Sequence, residues 1–246
     1  MSAVKIDFIE LKNALEGDLL TDSLSKIIYS TDASVYKEKP LAVALPKHKK
    51  DIIAIIKFAG KNRLSLIPRA GGTSLSGQCV GNGIVVDVSK YMSSIIEVDV
   101  ESQLVRVQPG VIRDDLNRYL LKDGLFFPPI TSTANRANVG GMVGNNSCGQ
   151  NSIVYGDTRQ YTLKIEGVLS DGSEVTFEVT RRNTGYALDE LIKCNPFVES
   201  EEDFNFCKLI CGSEGTLAFI TEITLALKPL PPTYPSIAIL QFESIK

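Results

Sequence analysis

The sequence predicts an α+β protein of two lobes, a small one built on parallel strands and a larger one built on an antiparallel sheet flanked by helices. Three observations carry that prediction. A short apolar run between prolines, Pro40 to Pro46, precedes a helical pattern over Lys49 to Asn62 and a second strand signal at Ser65 to Pro68, which together make a strand–helix–strand unit. Leu163 to Leu169 and Glu174 to Val179 flank the turn Ser170-Asp171-Gly172-Ser173, a hairpin signature. Phe219 to Lys228 alternates, with Phe219, Thr221, Ile223, Leu225 and Leu227 on one face.

From the N-terminus, Ile6, Ile9, Leu11, Leu15 and Leu19 recur near helical spacing, so residues 1–36 are expected to form a helical lead-in, with a polar passage over Ser30 to Lys39. Residues 37–95 form the first lobe. Its helix carries Ile52, Ile53, Ile56 and Ala59, and a right-handed crossover is expected to make the flanking strands parallel neighbours. Gly83 to Val88 adds a strand after a glycine-rich loop. Residues 96–230 form the second lobe, introduced by strand signals at Ile95 to Val98 and Leu104 to Val107. Pro109 to Gly124 contains a helix with Leu116, Tyr119 and Leu120 as its apolar stripe. Pro229 to Pro235 reads as a linker and Ile237 to Phe242 as a new strand, so residues 231–246 are assigned to a linker and the start of a further C-terminal domain.

Composition narrows the function classes. The 246 residues are 43% hydrophobic and 22% charged, which is ordinary for a globular protein and excludes disorder as the main state. A net charge of −3 gives no field that would draw the chain to nucleic acid or anionic lipid. No apolar stretch approaches the roughly 20 residues of a membrane span. The N-terminal MSAVKIDFIELKNALEGD carries acids throughout and resembles neither a secretory signal nor a transit peptide, so a cytoplasmic location is expected. Five scattered cysteines, Cys79, Cys148, Cys194, Cys207 and Cys211, fit reduced thiols, and Cys207 with Cys211 lacks the spacing of a zinc or iron–sulfur site, so no metal is expected.

Three segments carry candidate chemistry. The first is Pro68-Arg69-Ala70-Gly71-Gly72-Thr73-Ser74-Leu75-Ser76-Gly77-Gln78 between two strands. Its glycines let successive backbone N–H groups converge on an anion, and Thr73, Ser74 and Ser76 add hydroxyl donors, a cradle suited to a diphosphate. It is neither a Walker loop nor the dinucleotide fingerprint, and taken alone it reads equally well as a plain connection. The second runs from Pro128-Pro129-Ile130-Thr131-Ser132-Thr133 to Asn138-Val139-Gly140-Gly141-Met142-Val143-Gly144-Asn145-Asn146-Ser147-Cys148-Gly149, a long irregular loop of small and amide side chains. The third is the tight turn Cys211-Gly212-Ser213-Glu214-Gly215-Thr216.

Together with Tyr155-Gly156, Asp171-Gly172 and Asn183-Thr184-Gly185-Tyr186, these segments resemble, in order, the FAD-binding domain of the vanillyl-alcohol oxidase and para-cresol methylhydroxylase (PCMH) type. The resemblance covers roughly residues 38 to 230 and is nearest to FAD-linked D-2-hydroxy acid dehydrogenases of the D-lactate dehydrogenase and glycolate oxidase kind. The form Gly-Gly-Met-Val-Gly-Asn-Asn-Ser-Cys-Gly is similar to long members fused to an iron–sulfur region. The resemblance implies an elongated FAD between two α+β subdomains. Arg69, Ala70, Gly71, Gly72, Thr73, Ser74, Leu75, Gly77 and Gln78 would wrap the diphosphate. Thr131, Ser132, Thr133, Asn138, Gly140, Gly141, Asn145, Asn146, Ser147 and Gly149 would line the flavin and ribityl chain, with Asn145 and Asn146 as amide donors to the ring. Tyr155 and Gly156 fall in the matched set, and Gly212, Glu214, Gly215 and Ile220 would hold the adenosine side. A small 2-hydroxy acid would bind through a C-terminal cap domain, and an iron–sulfur region or subunit would take the electrons.

One departure bears on the cofactor. Some relatives tether FAD through a histidine in the diphosphate loop, whereas here the sole histidine is His48 in the basic start of a helix. FAD is therefore expected to be non-covalent unless Cys79 or Cys148, which fall in the two binding loops, is used. With one histidine outside the loops, Ser74, Ser147 and Ser213 lack a base and make poor nucleophiles, so no catalytic residue is assigned. Arg159 is open between a phosphate or carboxylate partner and a surface salt bridge, and Glu214 between cofactor contact and turn structure. The alternatives are a UDP-N-acetylenolpyruvoylglucosamine reductase-like flavoenzyme and a non-catalytic nucleotide-binding module.

Overall fold

The computed structural model describes residues 6–178 and 206–232. The first lobe is a four-stranded sheet of β1 (Asp18–Leu20), β2 (Ala42–Leu45), β3 (Leu66–Arg69) and β4 (Ile84–Asp87) in the order β1-β2-β4-β3. β2, β4 and β3 run parallel, and β1 lies antiparallel on the outer side of β2. The crossover helix is α3 (Lys49–Asn62). The two strands it joins are parallel but not neighbours, because β4 lies between them. The reason is burial: Ile84 and Val86 pack on α3, while Val85 joins Val43, Leu45 and Ile67 on the opposite face. A strand whose apolar residues fill both faces is most stable at the centre of a sheet covered on both sides.

The lead-in is not wholly helical. It forms α1 (Ile9–Ala14), then β1, then α2 (Ser23–Ile28), so Leu19 belongs to a strand. Gly17 permits this close passage, since a Cβ there would stand 2.1 Å from the carbonyl oxygen of Leu45. The buried carboxylate of Asp51 then fastens the segment, accepting from the amides of Glu16 (3.0 Å), Gly17 (3.1 Å) and Lys47 (2.8 Å). His48 starts α3 with its Nε2 3.0 Å from Glu16 Oε2.

The second lobe is a five-stranded antiparallel sheet, ordered β5-β6-β10-β8-β9, from β5 (Ile95–Asp99), β6 (Leu104–Val107), β8 (Thr162–Val168), β9 (Glu174–Glu178) and β10 (Phe219–Ala226). A two-stranded ribbon of β7 (Leu125–Phe126) and β11 (Lys228–Pro229) stands beside it. Val105, Val107, Ile165, Ile223 and Leu225 pack against α4 (Arg113–Leu120) and α5 (Val139–Asn145). In α4 the stripe is Leu116 and Leu120, whereas Tyr119 is 46% exposed. Among the described residues the lobe also has three short helices, α6 (Ser152–Tyr155), α7 (Thr158–Tyr161) and α8 (Phe206–Ile210). Val168 and Phe219 leave this core and join Ile52, Ile55 and Ile56 of α3, so α3 is packed between the two sheets.

Residues 128–149 are not irregular throughout, because α5 occupies seven of them. Val139, Met142 and Val143 are buried at i, i+3 and i+4, which is enough apolar spacing for one helical face despite three glycines. The motif Asn183 to Tyr186 and the strand expected at Ile237 to Phe242 lie outside the described residues.

Asp51→Ala removes the acceptor of three amides and should destabilise the protein by about 3 kcal/mol in chemical denaturation; a loss below about 1 kcal/mol would show that this anchor is dispensable. Burial pushes the Cys207 and Cys211 thiols up to about 12 from the ordinary value of 9.0. The folded protein keeps these protons where the unfolded chain releases them, so this pair makes stability fall as pH rises from about 9 toward 12. Peptide mapping after thiol labelling near neutral pH should find exposed Cys148 modified and Cys207 and Cys211 intact until denaturant is added. Prompt labelling of all three would contradict their placement.

Candidate functional site

The chain leaves the carboxyl end of β3 into the glycine loop, at the edge of a parallel sheet where ligands commonly bind. Within this loop the backbone amides of Gly71, Gly72, Thr73, Ser74 and Leu75 meet no protein acceptor among the described residues. Gly72, Thr73 and Ser74 are half-buried or buried, where amides are normally paired, so this run of free donors is an anion site in waiting. The loop is held from both sides. Arg69 donates from Nη1 to the carbonyls of Thr31 (2.8 Å) and Cys79 (3.3 Å), lies over the Tyr29 ring, and fills the space beside Gly72, whose φ is +61°. Behind Gly71 stands the 131–138 turn: a Cβ on Gly71 would come within 2.5 Å of the Arg136 carbonyl and 2.9 Å of Asn138 Oδ1.

The second wall is α5. Gly140 donates to the Pro109 carbonyl at 2.8 Å and its bare Cα abuts Pro109, seating the helix against β6, while Gly141 and Asn145 face the loop. The third wall is the turn after α8. Gly212 and Glu214 donate to the carbonyls of Val143 (3.0 Å) and Gly144 (2.9 Å), and Gly215 at φ +78° passes directly over Pro68. This turn therefore ties α5 of one lobe to β3 of the other.

Three adjoining cavities result and form one trough between the sheets. The end at the glycine loop, about 570 Å³, is walled by residues 70–76, Thr131 to Thr133, Asn138, Asn145 and Ser147. The far end, about 550 Å³, is lined by Ile56, Leu64, Leu66, Val168 and Phe219 together with Glu214 and Thr216. A narrower passage lined by Ala70, Cys79, Gly140, Gly141, Ala218 and Ile220 connects them. Gln78 lines all three, and its Nε2 donates to Glu214 Oε1 at 3.1 Å across the gap. The Oε1 of Gln78 is buried without a partner.

Of the residues singled out in the sequence, Gly77, Asn146, Gly149, Tyr155, Gly156 and Gly212 do not line these three cavities. Asn146 instead closes α5 in the left-handed region, donating to Asp157 Oδ2 and accepting from the Arg159 amide. Gly149 passes tight against the Ile130 carbonyl, Gly77 against the Tyr36 ring and Gly156 against Gln160, while the Tyr155 ring stacks edge-on with Phe126 at 5.5 Å. Arg159 does not line the trough: it is buried and donates to the Cys211 carbonyl at 2.7 Å. The walls also include Arg136, Pro109, Ala218 and Phe219, which the motifs did not flag. Arg136 had a visible signal, since no other charged residue lies between Asp123 and Asp157.

The shape and donors fit an elongated dinucleotide with an anionic centre. A family profile described as an FAD binding domain matches residues 40–178. The chain belongs to this FAD-binding domain family. It is 34% identical to D-2-hydroxyglutarate dehydrogenase of Haemophilus influenzae over 93% of this chain and 26% of that protein. It is 33% identical to the glycolate oxidase subunit GlcD of Bacillus subtilis over 89% of this chain and 44% of that one. The chain thus spans about a quarter of the length of the D-2-hydroxyglutarate dehydrogenases of H. influenzae and Escherichia coli, matching the latter at 35% identity. Among solved structures, 6-hydroxy-D-nicotine oxidase from Arthrobacter nicotinovorans superimposes with a TM-score of 0.70 at 22% identity, covering 88% of this chain and 43% of that one. Alkyldihydroxyacetonephosphate synthase gives 0.68 at 22% identity, covering 87% and 37%. These neighbours share the two-subdomain α+β fold. Among the described residues no helix is long and apolar enough to cross a membrane.

Gly71→Ala places a methyl group against the 131–138 turn, so it should displace the loop and abolish FAD retention while leaving far-ultraviolet circular dichroism unchanged. Full retention of FAD by this variant would remove the loop from the binding site.

Proposed function

We propose that this chain is the cofactor-binding part of a flavin-dependent oxidoreductase that oxidises a D-2-hydroxy acid of the lactate, glycolate or hydroxyglutarate class. The observation that carries the proposal is the run of unpaired amides from Gly71 to Leu75 among the described residues, facing a trough that runs between the two sheets. Residues 70–78 hold the diphosphate in this reading. Thr131, Ser132, Thr133, Asn138 and Asn145 serve the ribityl and flavin side, and Glu214, Gly215 and Ile220 the adenosine side. When bound, FAD supplies the two-electron acceptor for alcohol oxidation. The hydroxy acid specificity is drawn from the names of the relatives.

FAD is held non-covalently in this proposal. His48 is engaged with Glu16 at the start of α3 and does not line the trough, and burial raises the Cys79 thiol, keeping it protonated. Residues 37–95 and 96–230 act as the two FAD-binding subdomains. The substrate pocket and the base for the hydroxyl proton belong to a C-terminal cap domain, electrons leave to an iron–sulfur region or subunit, and the protein works in the cytoplasm.

The purified protein, incubated with FAD and desalted, should show bands near about 370 and 450 nm that pass into the supernatant on acid precipitation. Colour that stays with the precipitate would overturn non-covalent binding. With the cap domain present, anaerobic addition of D-2-hydroxyglutarate, D-lactate or glycolate should bleach the band near about 450 nm. Bleaching by NADPH alone would instead favour a reductase.

A further inference from the structure

We infer that Arg136 is a second contact for the cofactor diphosphate, reaching it from the 131–138 turn that stands beside the glycine loop. The inference rests on the FAD reading and adds a residue to it. Arg136 lines the glycine-loop end of the trough and is the one charged side chain there among the described residues. The turn that carries it is fixed: its amide donates to the Thr133 carbonyl at 2.8 Å, and the next amide, that of Ala137, to the same oxygen at 2.7 Å. The same turn is in near-contact with Gly71, the first of the five unpaired amides.

Charge bookkeeping singles out this residue. A diphosphate brings two negative charges, and backbone amides supply only partial ones. Arg69, the other cation near the loop, spends its Nη1 on the Thr31 and Cys79 carbonyls and its flat face on Tyr29. Arg136, by contrast, has one hydrogen-bond partner among the described residues, the Asn135 side-chain oxygen at 3.2 Å, and no carboxylate within salt-bridge distance. A guanidinium with most of its donors uncommitted, set beside a row of free amides, is suited to bidentate recognition of phosphate oxygens. The Coulomb part of such a contact in a solvent-open site is salt-sensitive.

The test is FAD affinity, read by quenching of flavin fluorescence at low and high salt for the wild-type chain, Arg136→Gln and Arg136→Lys. Arg136→Gln should bind FAD about tenfold more weakly at low salt, which corresponds to about 1.4 kcal/mol. The deficit should shrink at high salt, and Arg136→Lys should fall between the two. Unchanged affinity in Arg136→Gln would overturn the inference and leave Arg136 free to meet a substrate carboxylate. A deficit equal in both variants and insensitive to salt would also overturn it, since that is a packing defect. A wild-type chain that binds no FAD at any concentration would overturn the flavin reading itself, and the inference with it.

Discussion

Everything at this site follows from five backbone amides that the fold leaves without partners. The chain at Gly71 to Leu75 has left β3 and belongs to no helix or strand, so its donors must face either water or a ligand. The surrounding structure fixes where they face. The 131–138 turn crowds Gly71 so closely that a side chain has no room there, and Gly72, alongside Arg69, sits at φ +61°, a conformation that favours glycine. A cradle made of main chain is rigid and presents partial positive charge without a titratable group, so its affinity for an anion is independent of protonation over the physiological range.

The two lobes are both needed to make that cradle into a trough. Helix α3 packs between the sheets and brings Val168 and Phe219 of the second against Ile52 and Ile55 of the first. The turn after α8 binds α5 through Gly212 and Glu214 and passes over Pro68 at the end of β3. The Gln78–Glu214 hydrogen bond then spans the middle of the opening. A ligand lying along the trough touches both lobes, so binding and the relative position of the lobes are energetically linked.

The fold was largely legible in the sequence because its strongest signals are local. The strand–helix–strand pattern over residues 40–68, the Asp171-Gly172 hairpin and the alternation of β10 all appear as elements. What was not legible is non-local. Nothing near β2 or β3 reveals that β4 inserts between them, since strand order depends on which apolar run can be covered on both faces. Leu19 keeps helical spacing with Leu15 yet becomes β1 because Gly17 lets the chain approach Leu45. α5 was hidden by its glycines, although Val139, Met142 and Val143 carried a helical face. At the site, residues of the glycine motifs lie along the trough, while Asn146 and Arg159 lie outside it: both have suitable chemistry for a ligand, and both are used to hold α5, α7 and the α8 turn together.

The most direct test of the central claim is residue-resolved amide hydrogen exchange over the glycine loop with and without FAD. Free donors exchange readily, and donors that bind phosphate oxygens do not. The account predicts that Gly71 to Leu75 exchange fast in the protein alone and slow by about tenfold or more on addition of FAD, as amides do when they gain a strong acceptor. Loop amides already protected without ligand, or unchanged exchange there while FAD is demonstrably bound, would contradict it.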